Sequence, residues 1–281
     1  MIFGRKKKAR ADEDEVVAED STALAADGTD ADETDAPDET AADPATDEDG
    51  GDATSATDPD EDAEPGLDTE ALDATEWRTH GPFEVGELDG SDPDDDAPRI
   101  DLGSLVISPV PGSELRLQVN EAQDIVSAML VLPVHGPGAD GVTLEVIASS
   151  ALELSAYAAP RSGGLWAELR DEISEAAVEV GGSAELAAGP FGVELRRLLP
   201  VTTPEGEQGY QPSRMWVAEG QRWLLRGIVY GQAAITADDE DPAVAAVLAA
   251  FRDVVVRRGD EAMAPGDLLP MAIPADLQPA D

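Results

Sequence analysis

The chain is predicted to form a single α+β domain, a mainly antiparallel sheet of about six to eight strands covered by two amphipathic helices, behind a long disordered acidic tail. Three observations carry this reading. Strand-like segments come in runs rather than alternating with helices, which favours an antiparallel sheet. Only two stretches show an apolar repeat of helical period. The charge is uneven: residues 1–98 hold 34 of the 61 acidic residues and six of the 18 basic ones, a net of −28, which leaves −15 for residues 99–281.

The tail is assigned to residues 1–76. Arg5, Lys6, Lys7, Lys8 and Arg10 make a basic head within residues 1–10. The following acidic run is Ala, Asp, Glu, Thr and Pro with almost no large apolar residue, so it buries too little surface to offset its ordering entropy. Residues 77–98 form a docking segment and linker. Trp77, Phe83 and Val85 place two aromatics and a valine within nine residues, a composition suited to docking on the domain or on a protein partner. The acidic run Asp94-Asp95-Asp96 before Pro98 then reads as a hinge.

The α+β domain is assigned to residues 99–275, with residues 276–281 fraying. Residues 102–107 read as a strand closing at a Pro/Gly turn. Leu115, Leu117 and Val119 alternate with polar residues, as in a half-buried strand. Residues 120–123 read as a hairpin turn and 124–132 as a central strand. Residues 134–140 read as loop, and 142–147 as either an extra strand or part of an insertion. Residues 152–158 then lead into the first helix, over 162–180. Its face is Leu165, Leu169, Ile173, Ala176 and Val180; Ser162 is the expected N-cap and Gly181-Gly182 the stop. Four more strand-like segments follow, at 183–188, 191–201, 214–218 and 222–230. Residues 202–211 read as a loop, and Glu219-Gly220 as the tight turn of the last hairpin. The second helix starts with Asp241 as cap and Pro242 in its first turn. It buries Val244, Val247, Leu248, Phe251, Val254 and Val255, carries Arg257 and Arg258 at its end and stops at Gly259. The Pro-rich remainder is expected to wrap the domain.

Composition excludes several chemistries. Without cysteine there are no disulfides, thiolate metal sites or cysteine nucleophiles. The two histidines, His80 and His135, fall in stretches read as loops, so no metal site is expected. Lysine occurs only at Lys6, Lys7 and Lys8, so the folded part has no lysine for a phosphate loop or Schiff base. No cofactor is implied. No apolar run reaches the roughly 18 residues of a membrane span, and a cytoplasmic location is the expectation. The net charge of the domain disfavours nucleic acid as its partner.

Two places attract functional interest. Arg161, Ser162, Gly163 and Gly164 open the first helix, where free N–H groups beside a guanidinium suit an anion; the same residues also serve as a plain strand-to-helix turn. Arg226 stands mid-strand among apolar residues, where an unpaired charge is costly. It either meets a buried carboxylate, with Glu194 as the named partner, or lines a polar pocket. Trp166, Trp216 and Trp223 read as core or rim packing.

The runs Ala159-Pro160-Arg161-Ser162-Gly163-Gly164-Leu165-Trp166, Gly189-Pro190-Phe191-Gly192-Val193-Glu194-Leu195, Arg222-Trp223-Leu224-Leu225-Arg226-Gly227 and Phe251-Arg252-Asp253-Val254-Val255-Val256 carry a resemblance, joined by Gly81-Pro82-Phe83 and the start Met1-Ile2-Phe3-Gly4-Arg5. Over about residues 77–275 the chain resembles an uncharacterised actinobacterial family, domain of unknown function 3710. The resemblance implies no activity and no catalytic residues. The leading functional expectation is a non-enzymatic binding or protein-interaction module. The alternative is an enzyme or sensor for an anionic, nucleotide-like small molecule, using Arg161 and Arg226.

Overall fold

The computed structural model describes residues 66–88, 99–137, 144–236 and 238–273. The basic head, most of the acidic tail, the hinge and residues 276–281 lie outside the described residues. The short helix α1 (Thr69–Asp73) comes first, capped by the Asp68 carboxylate, which accepts from Ala71 N at 2.9 Å. Then follow β1 (Phe83–Glu84), β2 (Ile100–Asp101), β3 (Leu105–Ile107), β4 (Glu114–Val119), β5 (Ile125–Pro137) and β6 (Leu144–Ala158). Helix α2 (Leu165–Glu179) leads to β7 (Ser183–Gly189), β8 (Gly192–Thr202), β9 (Gln208–Gly220) and β10 (Trp223–Gly231). The chain continues with α3 (Gln232–Ile235), α4 (Pro242–Arg252) and β11 (Val255–Val256).

Seven strands form one antiparallel sheet in the order β4-β5-β6-β10-β9-β8-β7. A small second sheet has the order β1-β11-β3-β2. Because side chains alternate along each strand, the large sheet has two distinct faces. One carries Leu130, Leu152, Leu154, Trp216, Trp223, Leu225 and Val229 and packs against Val244, Val247 and Phe251 of α4. The other carries Leu195, Met215, Val217, Leu224 and Ile228 and packs against Leu165, Trp166, Leu169 and Ile173 of α2. Under α4, Phe191 and Phe251 meet edge-on with ring centroids 4.8 Å apart, and Trp216 lies 6.1 Å from Phe251. The close approach of Phe251 to the sheet needs Gly227: a Cβ there would fall 2.5 Å from the ring.

Several boundaries differ from the sequence expectation. Residues 134–137, read as loop, continue β5, and His135 pairs with Val146 in a strand. The bulge between Val134 and His135 lets the ladder run on beyond Pro133. Residues 144–147 are the beginning of β6. Helix α2 begins at Leu165 with Gly164 as its N-cap, in the left-handed region at φ 84. Ser162 does not cap it; the hydroxyl donates to Gly163 O at 3.5 Å. Within α2 the buried side is Leu165, Trp166, Arg170 and Ala177, while Ala176 and Val180 are exposed.

The loop 202–211 shrinks because β8 and β9 extend into it, and the last hairpin turns at Gln221-Arg222, with Arg222 at φ 73. Asp241 and Pro242 start α4 as expected, with Ala243 N donating to Asp241 at 2.8 Å. The helix nonetheless stops at Arg252. Val255 and Val256 are buried as strand β11 beside β3, and the Arg257 guanidinium pairs with Asp101 at 2.7 Å instead of lying at the helix end. Val254, Val255 and Val256 are buried in succession, and a short apolar run fits the end of a helix and a short buried strand equally well, which is why the helix looked longer. The C-terminal segment does wrap the domain: Leu269 N donates to Ala156 O and Ala158 N to Asp267 O, each at 2.8 Å.

One buried polar cluster joins this framework. The Glu194 carboxylate, 1% exposed, accepts from Arg214 Nε at 3.1 and 3.0 Å, Arg214 Nη2 at 2.9 Å, Arg196 Nε at 2.6 Å and Trp216 Nε1 at 2.7 Å. Arg214 also donates to Thr236 O and Asp239. Burial alone would lower the pKa of Arg214, but Glu194 and Asp239 outweigh it and hold the guanidinium above its ordinary value. Removing one partner from such a cluster strands the others without water. Glu194→Ala is therefore expected to cost about 3–5 kcal/mol, read as a lowered midpoint in urea denaturation.

Candidate functional site: two guanidiniums on a half-buried sheet face

The sequence pointed to the start of α2 and to Arg226, and the structure gives each a definite setting. At the helix start the free N–H groups already hold an anion. Glu219, at the end of β9, accepts from Gly164 N and Trp166 N, both at 3.0 Å. This strand carboxylate satisfies two of the helix's orphan donors and complements its dipole. Arg161 and Ser162 are exposed. Among the described residues no hydrogen bond or ion pair engages the Arg161 side chain.

Arg226 does not pair with Glu194. Strand alternation puts Arg226 on the α2 side of the sheet and Glu194 with Trp216 on the other. Arg226 Nη2 donates to Ser155 Oγ at 3.0 Å, and the guanidinium lies 5.1 Å over the Tyr157 ring. Its Nε is buried and has no partner.

The same face carries a second cation that sequence reasoning passed over. Arg197 of β8 is opposite Ser213 of β9, and neither the Arg197 Nε nor the Ser213 Oγ, both buried, has a partner. Burial draws the Arg197 guanidinium below its ordinary pKa, and the field of Arg226 acts in the same direction; Tyr230 and Glu153 oppose it. Beside them the Tyr230 hydroxyl donates to Glu153 Oε2 at 3.2 Å. Burial first, and then the Glu153 charge, push the Tyr230 phenol up to about 12. A signal was present in the sequence: Arg197 follows an apolar strand start with its neighbour Arg196 on the opposite face, so one of the two had to point inward.

Arg78, Arg99, Arg116, Arg170, Arg196, Arg214 and Arg257 each pair with Asp or Glu. Like Arg161, Arg222, Arg252 and Arg258, Arg197 and Arg226 make no ion pair among the described residues; what sets Arg197 and Arg226 apart is that each also keeps a buried Nε without a partner. Trp77 and Phe83, read as docking residues, both lie on this domain. Trp77 is partly buried against the main core, and Phe83 pairs with Val255 in the small sheet. No group of three or more metal-ligating side chains occurs among the described residues, and no helix there is long and apolar enough to cross a membrane.

These features define an α+β domain whose seven-stranded antiparallel sheet has a helix on each face and two half-buried arginines, Arg197 and Arg226, on one of them. A family model described as Protein of unknown function (DUF3710) matches residues 81–280, and the chain belongs to that family. No curated protein and no solved structure matches it.

Two outcomes follow from this geometry. Glu219→Ala removes the cap of α2 and is expected to cost about 1 kcal/mol, measured by urea denaturation. Tyr230 binds its proton more tightly folded than unfolded. Its contribution is therefore present below pH 10 and is lost as the pH rises from about 10 toward about 12. Tyr230→Phe should flatten that alkaline decline in thermal unfolding midpoints.

Proposed function

We propose that this domain is a non-catalytic binding module that receives a small anionic ligand on the α2 side of its sheet, at Arg226 and Arg197. The observation that carries the reading is that three of the five unpartnered buried polar side-chain atoms among the described residues, Arg197 Nε, Arg226 Nε and Ser213 Oγ, lie on this one face; the other two are Arg99 Nε and Trp223 Nε1. Donors held out of water without acceptors lower stability, and two neighbouring cations add repulsion. An oxyanion supplies acceptors and charge together. Glu153 and Tyr230, linked at 3.2 Å, frame the site with one acceptor and one hydroxyl and offer a place for a ligand's own donor.

Arg161 carries less of this reading. It is exposed, and the N–H groups of the adjoining helix start already hold Glu219. The acidic surroundings also work for selectivity, because a net-negative surface repels polyanions while leaving a buried cationic point available to a small anion.

Inorganic phosphate and sulfate are the first probes, titrated against the full chain by calorimetry and by thermal shift. Each should stabilise the native protein. Charge-assisted hydrogen bonds contribute about 1.5–3 kcal/mol, so Arg226→Met and Arg197→Met should each weaken binding about tenfold or more. Without anion the same variants should be as stable as the parent or more so, since each removes a half-buried charge that has no counter-ion. Variants that are destabilised while the anion response persists would show that the arginines serve packing alone.

A further inference from the structure

Residues 66–80 precede the family match, which starts at residue 81, and run from the start of α2 across the ends of β8 and β9. We infer that this strap is a displaceable occupant of a peptide-binding groove. The groove takes a protein partner's segment with the same two anchors, a carboxylate and, four residues later, a tryptophan. The inference is independent of the anion site.

The anchors are Asp73 and Trp77. Asp73 Oδ1 accepts from Arg170 Nη1 at 2.7 Å, and that arginine is buried on α2. Asp73 is its only ion-pair partner among the described residues. The Trp77 indole donates to Leu72 O at 2.7 Å and lies so close to Gly192 that a Cβ there would come within 2.9 Å of its nitrogen. Arg78 secures the exit of the strap, donating to Glu219 O at 2.9 Å and lying 4.9 Å over the Trp223 ring.

Other features mark the helical part of the strap as loosely held, although Trp77 packs against the main core. Helix α1 has five residues and none of them is buried; a helix of that length does not persist by itself in water. A cleft of about 210 Å³ remains beneath it, floored by Trp166, Phe191 and Val217. The strap bridges this space without filling it. The receiving side belongs entirely to the family domain: Trp166, Arg170, Phe191, Gly192, Val217 and Glu219 all lie within residues 81–280. A buried cation such as Arg170 needs a carboxylate, and among the described residues that carboxylate comes from the strap.

The test uses the full chain and a fluorescently labelled synthetic peptide of residues 66–80. In the native protein the tethered strap competes at an effective concentration on the order of millimolar, so peptide binding measured by anisotropy should be weak. The double variant Asp73→Asn, Trp77→Ala loosens the strap and leaves the groove intact; it should bind the peptide at least about tenfold more tightly. The milder Asp73→Asn alone should give a smaller gain. Adding Arg170→Ala should abolish the gain, and a peptide lacking its tryptophan should not bind. Thermal unfolding verifies that each variant is folded. A folded double variant that binds the peptide no better than the native chain overturns the inference, as does binding that survives Arg170→Ala.

Discussion

The structure depends on a single buried carboxylate. Glu194 gathers Arg214, Arg196 and the Trp216 indole on one side of the sheet. Through Arg214 it also reaches Thr236 and Asp239, on the connection that leads into α4. Burying this charge would cost several kcal/mol by itself, so every donor must be in place for the sheet to form. The cluster therefore fixes the pairing of β8 with β9 and, with it, the parity of both strands: which residues face α4 and which face α2.

That parity decides where the remaining cations go. With Glu194 and Arg196 on the α4 side, Arg197 must face α2. On β10 the aromatic packing of Phe251 over Gly227 puts odd-numbered residues toward α4, so Arg226 faces α2 as well. Two arginines from strands on either side of β9 are thus brought to one face by constraints that act on the other. The cationic character of that face is set by register, and it occurs in a domain whose other ion pairs are largely satisfied locally.

Much of the fold was legible in the sequence: two helices, an antiparallel sheet, the Asp241-Pro242 helix start and the wrapping C-terminal segment. Local signals specify these features. Boundaries failed where tertiary contacts overrode punctuation. Pro133 and Pro137 read as punctuation, yet β5 runs through Pro133 to end at Pro137, with a bulge between Val134 and His135. Val254, Val255 and Val256 looked like the last turn of a helix, because burial alone does not distinguish helix from a short interior strand. The site was half legible. Arg226 stood out as a charge within an apolar strand. Its supposed partner Glu194 was misassigned because strand neighbours were known but their relative faces were not. Arg197 was missed because an Arg-Arg pair reads as a solvated edge until register separates the two side chains.

Glu219 gives the start of α2 a property that a local cap would not have. Most N-caps come from the residue at the helix boundary, so the helix carries its own start signal. Here the accepting carboxylate lies 55 residues beyond Gly164 and 53 beyond Trp166. In between, the chain must complete α2, turn through β7 and β8 and lay down β9. The first turn of the helix is finished only when the far end of the sheet arrives, a contact of high sequence separation of the sort that slows folding. Once formed, it makes the helix start a gauge of the sheet: any slip of β9 along β10 withdraws the carboxylate, and the first turn of α2 would fray before the core beneath it opened.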